Sequence, residues 1–162
     1  MSVSSRLQEL GIVIPEVAKP LAAYLPAVQA GDLMFVSGQL PRQNDKVVYT
    51  GRLGQEINME QGMKAAELAA INCLAVLKAY IGEWESLLQI VKITGYIQCR
   101  EDFYRQADVL NGASQLLEKI LGEKGRHARA AVGVNSLPLN AACEIEMIAR
   151  VKQLLDPGVI SC

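Results

Sequence analysis

Residues 125–150, GRHARAAVGVNSLPLNAACEIEMIAR, contain two predicted β-strands and most of the side chains on which a function could depend. A basic cluster that ends at Arg129 leads into a strand of small residues. A turn around Pro138 follows, and then a strand that carries Glu144 and Glu146 at alternate positions. An arginine on a strand of alanine and glycine, close to a carboxylate, is typical of a site for a small anionic ligand. We therefore expect the rest of the chain to serve as the scaffold of this stretch.

The last predicted strand has two different faces, because successive side chains of a strand point to opposite sides. One face is apolar throughout, and we expect it to pack against helices: Cys143, Ile145, Met147, Ala149 and Val151. The other face mixes charged with apolar residues: Ala142, Glu144, Glu146, Ile148 and Arg150. Carboxylates beside small and apolar residues predict a subunit interface with a cleft in it.

The short connection between the two strands predicts an antiparallel hairpin. In that register Ala131 faces Glu144, and Arg129 becomes a diagonal neighbour of Glu144, roughly 7–8 Å away at the backbone. Both side chains would then reach one small ligand above a floor of Ala131 and Gly133. A structural Arg–Glu pair across the strands is the favoured interpretation from spacing alone, since ion pairs are common and active sites are few.

The composition predicts one globular domain spanning residues 1–162. Hydrophobic residues make up 51% of the chain and charged residues 20%, which is too apolar for a disordered protein. The net charge is −1 and long basic runs are missing, so the chain lacks the usual electrostatic signature of nucleic-acid binding.

Cysteine and histidine usage argues against a metal centre or a disulfide framework. The four cysteines include no CxxC pair, and the chain has a single histidine, so we expect free buried thiols and no metal. The N-terminus lacks the pattern of a signal peptide, and the longest strongly apolar stretch, residues 68–77, is half the length that spans a bilayer. We expect a cytoplasmic protein without a membrane segment.

Hydrophobic periodicity predicts the element order β-β-β-α-β-α-β-β, preceded by a short helix over residues 4–11. The clearest helix has apolar residues at three- and four-residue spacing, an N-cap at Asn58 and a stop at Gly82. The predicted segments are strands over 27–29, 33–37, 47–50 and 87–98, helices over 59–81 and 102–121, and the two final strands, with 151–155 continuing the last one. This order predicts an α+β two-layer sandwich, in which one mixed six-stranded sheet carries both helices on one face.

Three further polar residues are weaker candidates. His127 has the chemistry of a general base, but a solvated or interface-capping histidine is the favoured interpretation of its place in a basic loop. Ser37 has no histidine or acid at the spacing of a catalytic triad, so we expect a hydrogen-bonding residue at a strand end. Asn111 lies inside a predicted helix, where it either forms a kink with Gly112 or orients a loop.

Four segments of the chain, taken together, resemble the Rid family of reactive intermediate deaminases, also called YjgF-like proteins. They are Tyr24 with the following hairpin and VSGQLP, then VKITGYIQCREDF and LNGAS, then ARAAVGV, and finally LPLNAACEIEMIA. They lie in this order between residues 20 and 151, and their combination is far more specific than any one of them.

The resemblance implies a chorismate-mutase-like fold and a homotrimer with ligand clefts between neighbouring subunits. It also implies hydrolysis of 2-imino or enamine acids to 2-keto acids and ammonia, without a metal or an organic cofactor. The carboxylate-binding arginine of the family falls on Arg129 and its water-positioning glutamate on Glu144. Its pocket residues fall on Tyr24, Ser37 and Asn111, and the backbone near Ala131 would help to hold the ligand.

The chain departs from the family at two floor positions and at its N-terminus. Ala131 replaces a frequent cysteine, Gly133 replaces a glutamate, and an extension of about 20 residues precedes the shared segments. These features resemble a longer subgroup labelled endoribonuclease-like. An imine deaminase is the leading hypothesis and a non-catalytic binder of small carboxylates is the alternative. RNA cleavage ranks third, because the chain is acidic and has no pair of histidines for acid–base catalysis. Arg126, His127 and Glu146 are assigned supporting or interface roles.

Overall fold

The computed structural model describes residues 1–17 and 24–152. Over these residues the elements follow in the order α1 (Val3–Glu9), β1 (Ala27–Ala30), β2 (Leu33–Gln39), β3 (Arg42–Gln43), β4 (Lys46–Val47), α2 (Met59–Ile81), β5 (Leu87–Gln98), α3 (Gln106–Leu121), β6 (Ala128–Val134) and β7 (Cys143–Val151). The predicted continuation of the last strand over 153–155 lies outside the described residues.

The main sheet has five strands in the order β1-β2-β7-β5-β6. Only β5 and β6 pair in parallel, and the other neighbours are antiparallel, so the sheet is mixed as predicted. The prediction of six strands was wrong. Of the segment predicted as a third strand, residues 47–50, only Val47 lies in a strand, β4, which pairs with β3 in a separate two-stranded hairpin.

Both long helices pack on one face of the sheet, which confirms the two-layer arrangement. The alternating residues of β7 that were expected to meet the helices are all buried: Cys143, Ile145, Met147, Ala149 and Val151. In helix α2, Ala65, Ala66, Ala69 and Ala70 have no exposed surface. Small side chains let the helix approach its neighbours closely, so the core packs tightly although the chain has few aromatic residues.

Helix α2 begins and ends where the sequence predicts. The side chain of Asn58 accepts a hydrogen bond from the Gln61 amide at 2.9 Å, and the side chain of Gln61 accepts one from the Asn58 amide at 3.0 Å. This reciprocal capping box satisfies two amide groups that the first turn of a helix leaves free. Gly82 follows the last residue with a φ of +71°, a conformation that glycine adopts readily.

The other two helices differ from their predicted limits. Helix α1, which was predicted over residues 4–11, spans Val3–Glu9, is capped by Ser2 and packs Leu7 into the core. Helix α3 starts four residues after the predicted Asp102, whose carboxylate instead accepts a hydrogen bond from Arg100 at 2.8 Å.

Three cysteines, Cys73, Cys99 and Cys143, are buried and free, as expected. Burial raises the pKa of the Cys143 thiol to about 12, so this group stays protonated. Among the described helices, none combines the length and the apolar character that crossing a bilayer requires.

Candidate functional site

Arg129 lies on β6, the edge strand of the sheet. It is opposite Ile93 of β5, which is buried beneath the helices, so Arg129 points to the helix side. Its Nη1 donates to the Ser114 hydroxyl of α3 at 3.0 Å, and its Nη2 donates to the Ala107 carbonyl at 3.4 Å. No carboxylate of the described residues forms an ion pair with it. The guanidinium is thus held by neutral acceptors, and its charge remains available to an anion.

Small residues lie beside this guanidinium. Ala131 and Gly133 share the face of Arg129, as predicted, and both are accessible to solvent. A Cβ on Gly133 would lie 2.8 Å from the side-chain nitrogen of Gln106 and 2.9 Å from the sulfur of Cys99. These two side chains therefore occupy the space that a larger residue at position 133 would need. Glycine at position 133, where the resemblance leads one to expect a glutamate, thus leaves room for the Gln106 side chain.

Asn111 projects from the same side of α3 as the two residues that hold Arg129. Ala107, Asn111 and Ser114 follow one another at spacings of four and three residues, which places them on one face of the helix. Asn111 is half-buried and lies inside the helix. Arg129, Ala131 and Asn111, three of the predicted site residues, thus lie on the helix side of the sheet.

His127 and Ser114 form a hydrogen-bonded pair next to Arg129. The His127 Nε2 lies 3.0 Å from the Ser114 hydroxyl, and its Nδ1 lies 2.5 Å from the Gly125 carbonyl. Burial lowers the pKa of His127; the hydrogen bond to the Gly125 carbonyl opposes this shift, and the charge of Arg129 adds to it. A Ser–His pair is also the core of many hydrolases, but this hydroxyl already accepts a hydrogen bond from Arg129 and sits in the middle of a helix. The pair is therefore better suited to holding the arginine than to attacking a substrate.

Glu144 lies on the other face of the sheet. It is opposite Tyr96 of β5, and the half-buried side chain extends over Gly38 of β2. A Cβ on Gly38 would lie 1.9 Å from the Oε1 atom of Glu144, so the carboxylate occupies the space that only a glycine leaves open. Burial raises the pKa of Glu144, and the charge of Glu146 raises it further. A carboxyl group of raised pKa is suited to exchanging protons with a water molecule.

The neighbouring carboxylate, Glu146, has a partner of its own. The Tyr96 hydroxyl donates to Glu146 at 3.2 Å, and burial together with this negative charge raises the pKa of the tyrosine. Glu146 therefore holds Tyr96, whereas no hydrogen bond to the Glu144 side chain occurs within the described part of the chain. The two carboxylates, which alternate along β7, differ in their surroundings.

The predicted hairpin between the last two strands was wrong. Strand β6 pairs in parallel with β5, and β7 lies on the other side of β5. Arg129 and Glu144 are consequently on opposite faces, two strands and three residues apart, which separates their Cα atoms by roughly 14 Å. The structural Arg–Glu pair is excluded for the same reason, and one protomer cannot bring both side chains to one small ligand.

Tyr24 and Ser37 lie near the opposite edge of the sheet from Arg129. The Ser37 hydroxyl donates to the Leu25 carbonyl at 2.8 Å, so it ties the segment before β1 to β2, as expected of a hydrogen bonder in this strand. Tyr24 is exposed and borders a cleft of about 730 Å³ between residues 11–17 and helix α2. Neither Arg129 nor Glu144 lines this cleft. Within one protomer, Tyr24 and Ser37 therefore lie apart from Arg129, Ala131 and Asn111, and Tyr24 also lies apart from Glu144.

Sequence reasoning missed four residues that lie beside the predicted ones: Gly38, Tyr96, Gln106 and Ser114. Ser114 had a signal, because it follows Asn111 at helical spacing in LNGAS. Tyr96 had one too, because it alternates with Lys92 and Thr94 along the strand. Among the described residues, no group of three acidic, cysteine or histidine side chains is arranged to hold a metal ion.

Comparison with known proteins places this chain in a family. A family model described as "YjgF/chorismate_mutase-like, putative endoribonuclease" matches residues 4–151. Protein TCP17 of Trypanosoma cruzi is 36% identical over 150 residues, covering 92% of this chain and 94% of its own. The crystal structure of protein Atu1372 from Agrobacterium tumefaciens superimposes with a TM-score of 0.88 at 41% identity, covering 93% of this chain and 92% of that one.

A more distant relative carries an enzyme name. The 2-iminobutanoate/2-iminopropanoate deaminase of Dermatophagoides farinae is 31% identical over 144 residues, covering 87% of this chain and 95% of its own. Because the family model spans nearly all of the described residues and the fold agrees, the chain belongs to the YjgF/chorismate mutase-like family.

Proposed function

We propose that this protein is a deaminase that hydrolyses small 2-imino or enamine acids to 2-keto acids and ammonia. The observation that carries the proposal is the state of Arg129. Its guanidinium is exposed at the sheet edge, fixed by a hydroxyl and a carbonyl, and free of ion pairs within the described residues. A planar, fixed guanidinium beside small residues suits bidentate capture of a carboxylate.

The proposal includes a homotrimer with the site between two subunits. Within one protomer Arg129 and Glu144 lie on opposite faces of the sheet, so a second subunit is needed to bring them to one ligand. The face that carries Glu144 also exposes apolar side chains that a neighbouring subunit would cover: Val28, Phe35 and Val132 are 50%, 42% and 41% exposed. The cleft would join Arg129, Ala131 and Asn111 of one subunit to Tyr24, Ser37 and Glu144 of the next.

The reaction follows from these assignments. Arg129 binds the carboxylate, and the Glu144 carboxylate orients a water molecule towards the imine carbon and accepts its proton. The oxygen–carbon bond forms as the C=N π electrons move to nitrogen, which is protonated. The resulting carbinolamine passes its hydroxyl proton through Glu144 to the amino nitrogen, and the C–N bond then breaks to give ammonia and the 2-keto acid. Because the pKa of Glu144 is raised, the same group can accept and return a proton. Tyr24 closes the pocket.

A kinetic comparison of two arginine variants tests the function. A threonine dehydratase generates 2-iminobutanoate in situ, and release of 2-oxobutanoate is followed against the uncatalysed rate. We expect Arg129→Ala to lose about 100-fold or more in kcat/KM, as removal of a charged contact to a buried substrate does. Arg126→Ala is the matched control, since Arg126 lies three residues away and pairs with Glu118 and Glu123. No acceleration by the wild-type protein, or equal rates for the two variants, would refute the function for this substrate.

A subunit-mixing experiment tests the shared cleft. Arg129→Ala and Glu144→Ala proteins are each expected to be inactive alone. After unfolding and refolding together in equal amounts, roughly one cleft in four combines an intact Arg129 with an intact Glu144, so activity returns. Light scattering should give a mass near three times that of the 17.6 kDa chain. A monomeric mass, or a mixture as inactive as its components, would contradict the assembly.

A second candidate is a carboxylate-binding protein without turnover. It is favoured by one observation, namely that Arg129 is held by Ser114 on the same face as the small residues Ala131 and Gly133, away from Glu144. Calorimetry with 2-oxobutanoate separates the two functions. Binding that depends on Arg129 but not on Glu144, together with no turnover of several imines, would select the binding protein.

A further inference from the structure

A chain of hydrogen bonds leads from Arg129 into the protein. The guanidinium donates to the Ser114 hydroxyl, the hydroxyl lies next to the His127 Nε2, and the His127 Nδ1 contacts the Gly125 carbonyl. A carbonyl only accepts, so Nδ1 carries a proton and donates it. In the neutral imidazole Nε2 is then an acceptor, which takes the hydroxyl proton and leaves the oxygen lone pairs of Ser114 to Arg129.

The Ser114 hydroxyl has an alternative hydrogen-bond acceptor, which its contact with His127 keeps it from using. A serine inside a helix commonly donates to the carbonyl four residues earlier, here that of Leu110, and so turns away from other partners. With His127 as its acceptor, the hydroxyl is directed across the helix surface towards β6 instead. This matters because Arg129 is exposed on an edge strand, where a long side chain loses considerable rotamer entropy when it is held in one orientation.

Apart from Arg129, the charged side chains of the loop that holds His127 have partners other than His127. On the loop and on α3, Arg126 and Glu118 pair at 2.9 Å, and Glu123 of the adjoining 3-10 helix also binds Arg126. Lys124 donates to a backbone carbonyl 2.7 Å away, and at the start of α3 Asp108 pairs with Arg105 at 2.7 Å. Burial lowers the pKa of His127, the hydrogen bond to the Gly125 carbonyl raises it, and the positive charge of Arg129 lowers it. The net shift is downward, which favours the neutral form that the hydrogen bonds require.

We propose that His127 is a positioning residue for Arg129, acting through the Ser114 hydroxyl to hold the guanidinium in the orientation that binds the substrate carboxylate. This inference rests on the proposed function for its consequence in catalysis, whereas the hydrogen-bond chain itself is a property of the free protein. His127 touches no substrate. It sets which way Ser114 points, and Ser114 sets where the two Nη atoms of Arg129 lie.

Two substitutions of His127 separate this role from a purely structural one. Glutamine places an amide oxygen near the position of Nε2 and keeps an acceptor for Ser114. Asparagine places its amide near Nδ1, so it keeps the contact with the Gly125 carbonyl and loses Ser114. We expect His127→Asn to raise KM for 2-iminobutanoate by about 10-fold with kcat changed by less than about 2-fold, the range of a lost hydrogen bond to a charged group. His127→Gln should remain within about 3-fold of the wild type.

The reverse order of the two variants, with glutamine impaired and asparagine active, would overturn the proposal, because it would assign His127 to the loop alone. Ser114→Ala should match His127→Asn, and the double variant should lose no more than either single one, since both break the same chain. Losses that multiply in the double variant would also overturn it.

A spectroscopic measurement keeps the test independent of turnover. The chain has a single histidine, so its imidazole ¹⁵N signals need no assignment. They should report the neutral tautomer with the proton on Nδ1. The ¹⁵Nη signals of Arg129 are identified by their loss in Arg129→Lys. They should show slow rotation of the guanidinium Nη groups in the wild type and in His127→Gln. The same groups should rotate fast in His127→Asn and Ser114→Ala. Fast rotation in the wild type, or the same rotation in all four proteins, would refute the relay even if imines are hydrolysed. Failure of imine hydrolysis with the expected rotation would refute only the function.

Discussion

The substitution Gly38→Ala should displace the Glu144 carboxylate without altering its charge. A Cβ at position 38 would lie 1.9 Å from Oε1, 2.8 Å from Cδ and 3.0 Å from Cγ of Glu144. An ordinary contact between such atoms is about 3.5 Å, so the oxygen must retreat by roughly 1.5 Å. The side chain is flexible and moves more easily than the strand. Because a misplacement of about 1 Å at a reacting centre can lower the rate about 100-fold, we expect kcat/KM to fall by roughly that factor.

The free energy of unfolding of Gly38→Ala should not fall, although its activity does. Alanine is favoured over glycine in a strand by roughly 0.5–1 kcal/mol, so thermal unfolding of Gly38→Ala should match or slightly exceed that of the wild type. Gly31→Ala is the matched control in the turn of the same hairpin. No atom lies within 4 Å of the added Cβ there, and the φ of +63° disfavours alanine. This control should lose about 1 kcal/mol of stability and keep its activity.

A double-mutant cycle with Glu144→Gln, measured by keto acid release, decides whether Gly38 acts through the carboxylate. Gly38→Ala should lower kcat/KM in the wild type and have little further effect in the Glu144→Gln background. Full activity of Gly38→Ala, or the same factor of loss in both backgrounds, would refute the reasoning.

Three further predictions concern stability. Gly112→Ala should destabilise the protein by about 1–3 kcal/mol in urea unfolding, because its Cβ would lie 2.3 Å from the backbone oxygen of Met63. Gly62→Ala should cost less, since the nearest neighbour of its Cβ is a movable side chain at 2.5 Å. Equal losses of stability in the two variants would contradict this prediction. Glu144→Gln should raise the free energy of unfolding near pH 7, because the raised pKa of Glu144 means that its ionisation disfavours the folded state. This gain should vanish as the pH falls below about 4.5, where Glu144 is protonated in both states. A gain that does not depend on pH would exclude this cause. Asn58→Ala should lower the free energy of unfolding by about 1 kcal/mol by removing the N-cap of α2, and an unchanged melting temperature would count against the capping box.

The sequence predicted those features that repeat or that carry a local chemical signal. Helix α2 was predicted to the residue, because Asn58 and Gly82 mark its ends and its apolar residues recur with helical spacing. The buried face of β7 was predicted because strict alternation shows which side chains point together. The start of α3 was missed, and there Arg105 makes no side-chain cap that the sequence could have revealed.

The alternation of side chains along a strand does not show which strands are neighbours in the sheet. For this reason the predicted pairing of the last two strands was wrong. Alternation correctly placed Arg129, Ala131 and Gly133 on one face, but it carries no information on which strand lies alongside. Helix α3 provides the crossover that parallel pairing of β5 and β6 requires. Between β6 and β7 the chain passes through residues 135–142, which include a short 3-10 turn at Pro138–Asn140 and not a tight hairpin loop. The arrangement of Arg129 and Glu144 within the protomer was therefore missed, whereas their roles in a site stay a prediction.

The position of β7 has a consequence for how the chain acquires its structure. It is the last of the described strands in sequence, yet it lies in the middle of the sheet and pairs with both β2 and β5. The ion pair between Asp32 and Arg150 joins residues 118 positions apart. Until residue 151 has been synthesised, the hairpin of β1 and β2 has no partner in the sheet, and the unit of β5, α3 and β6 has an open side. Such long-range pairing slows folding and exposes strand edges in the meantime. We therefore expect the nascent chain to depend on chaperones until its central strand emerges.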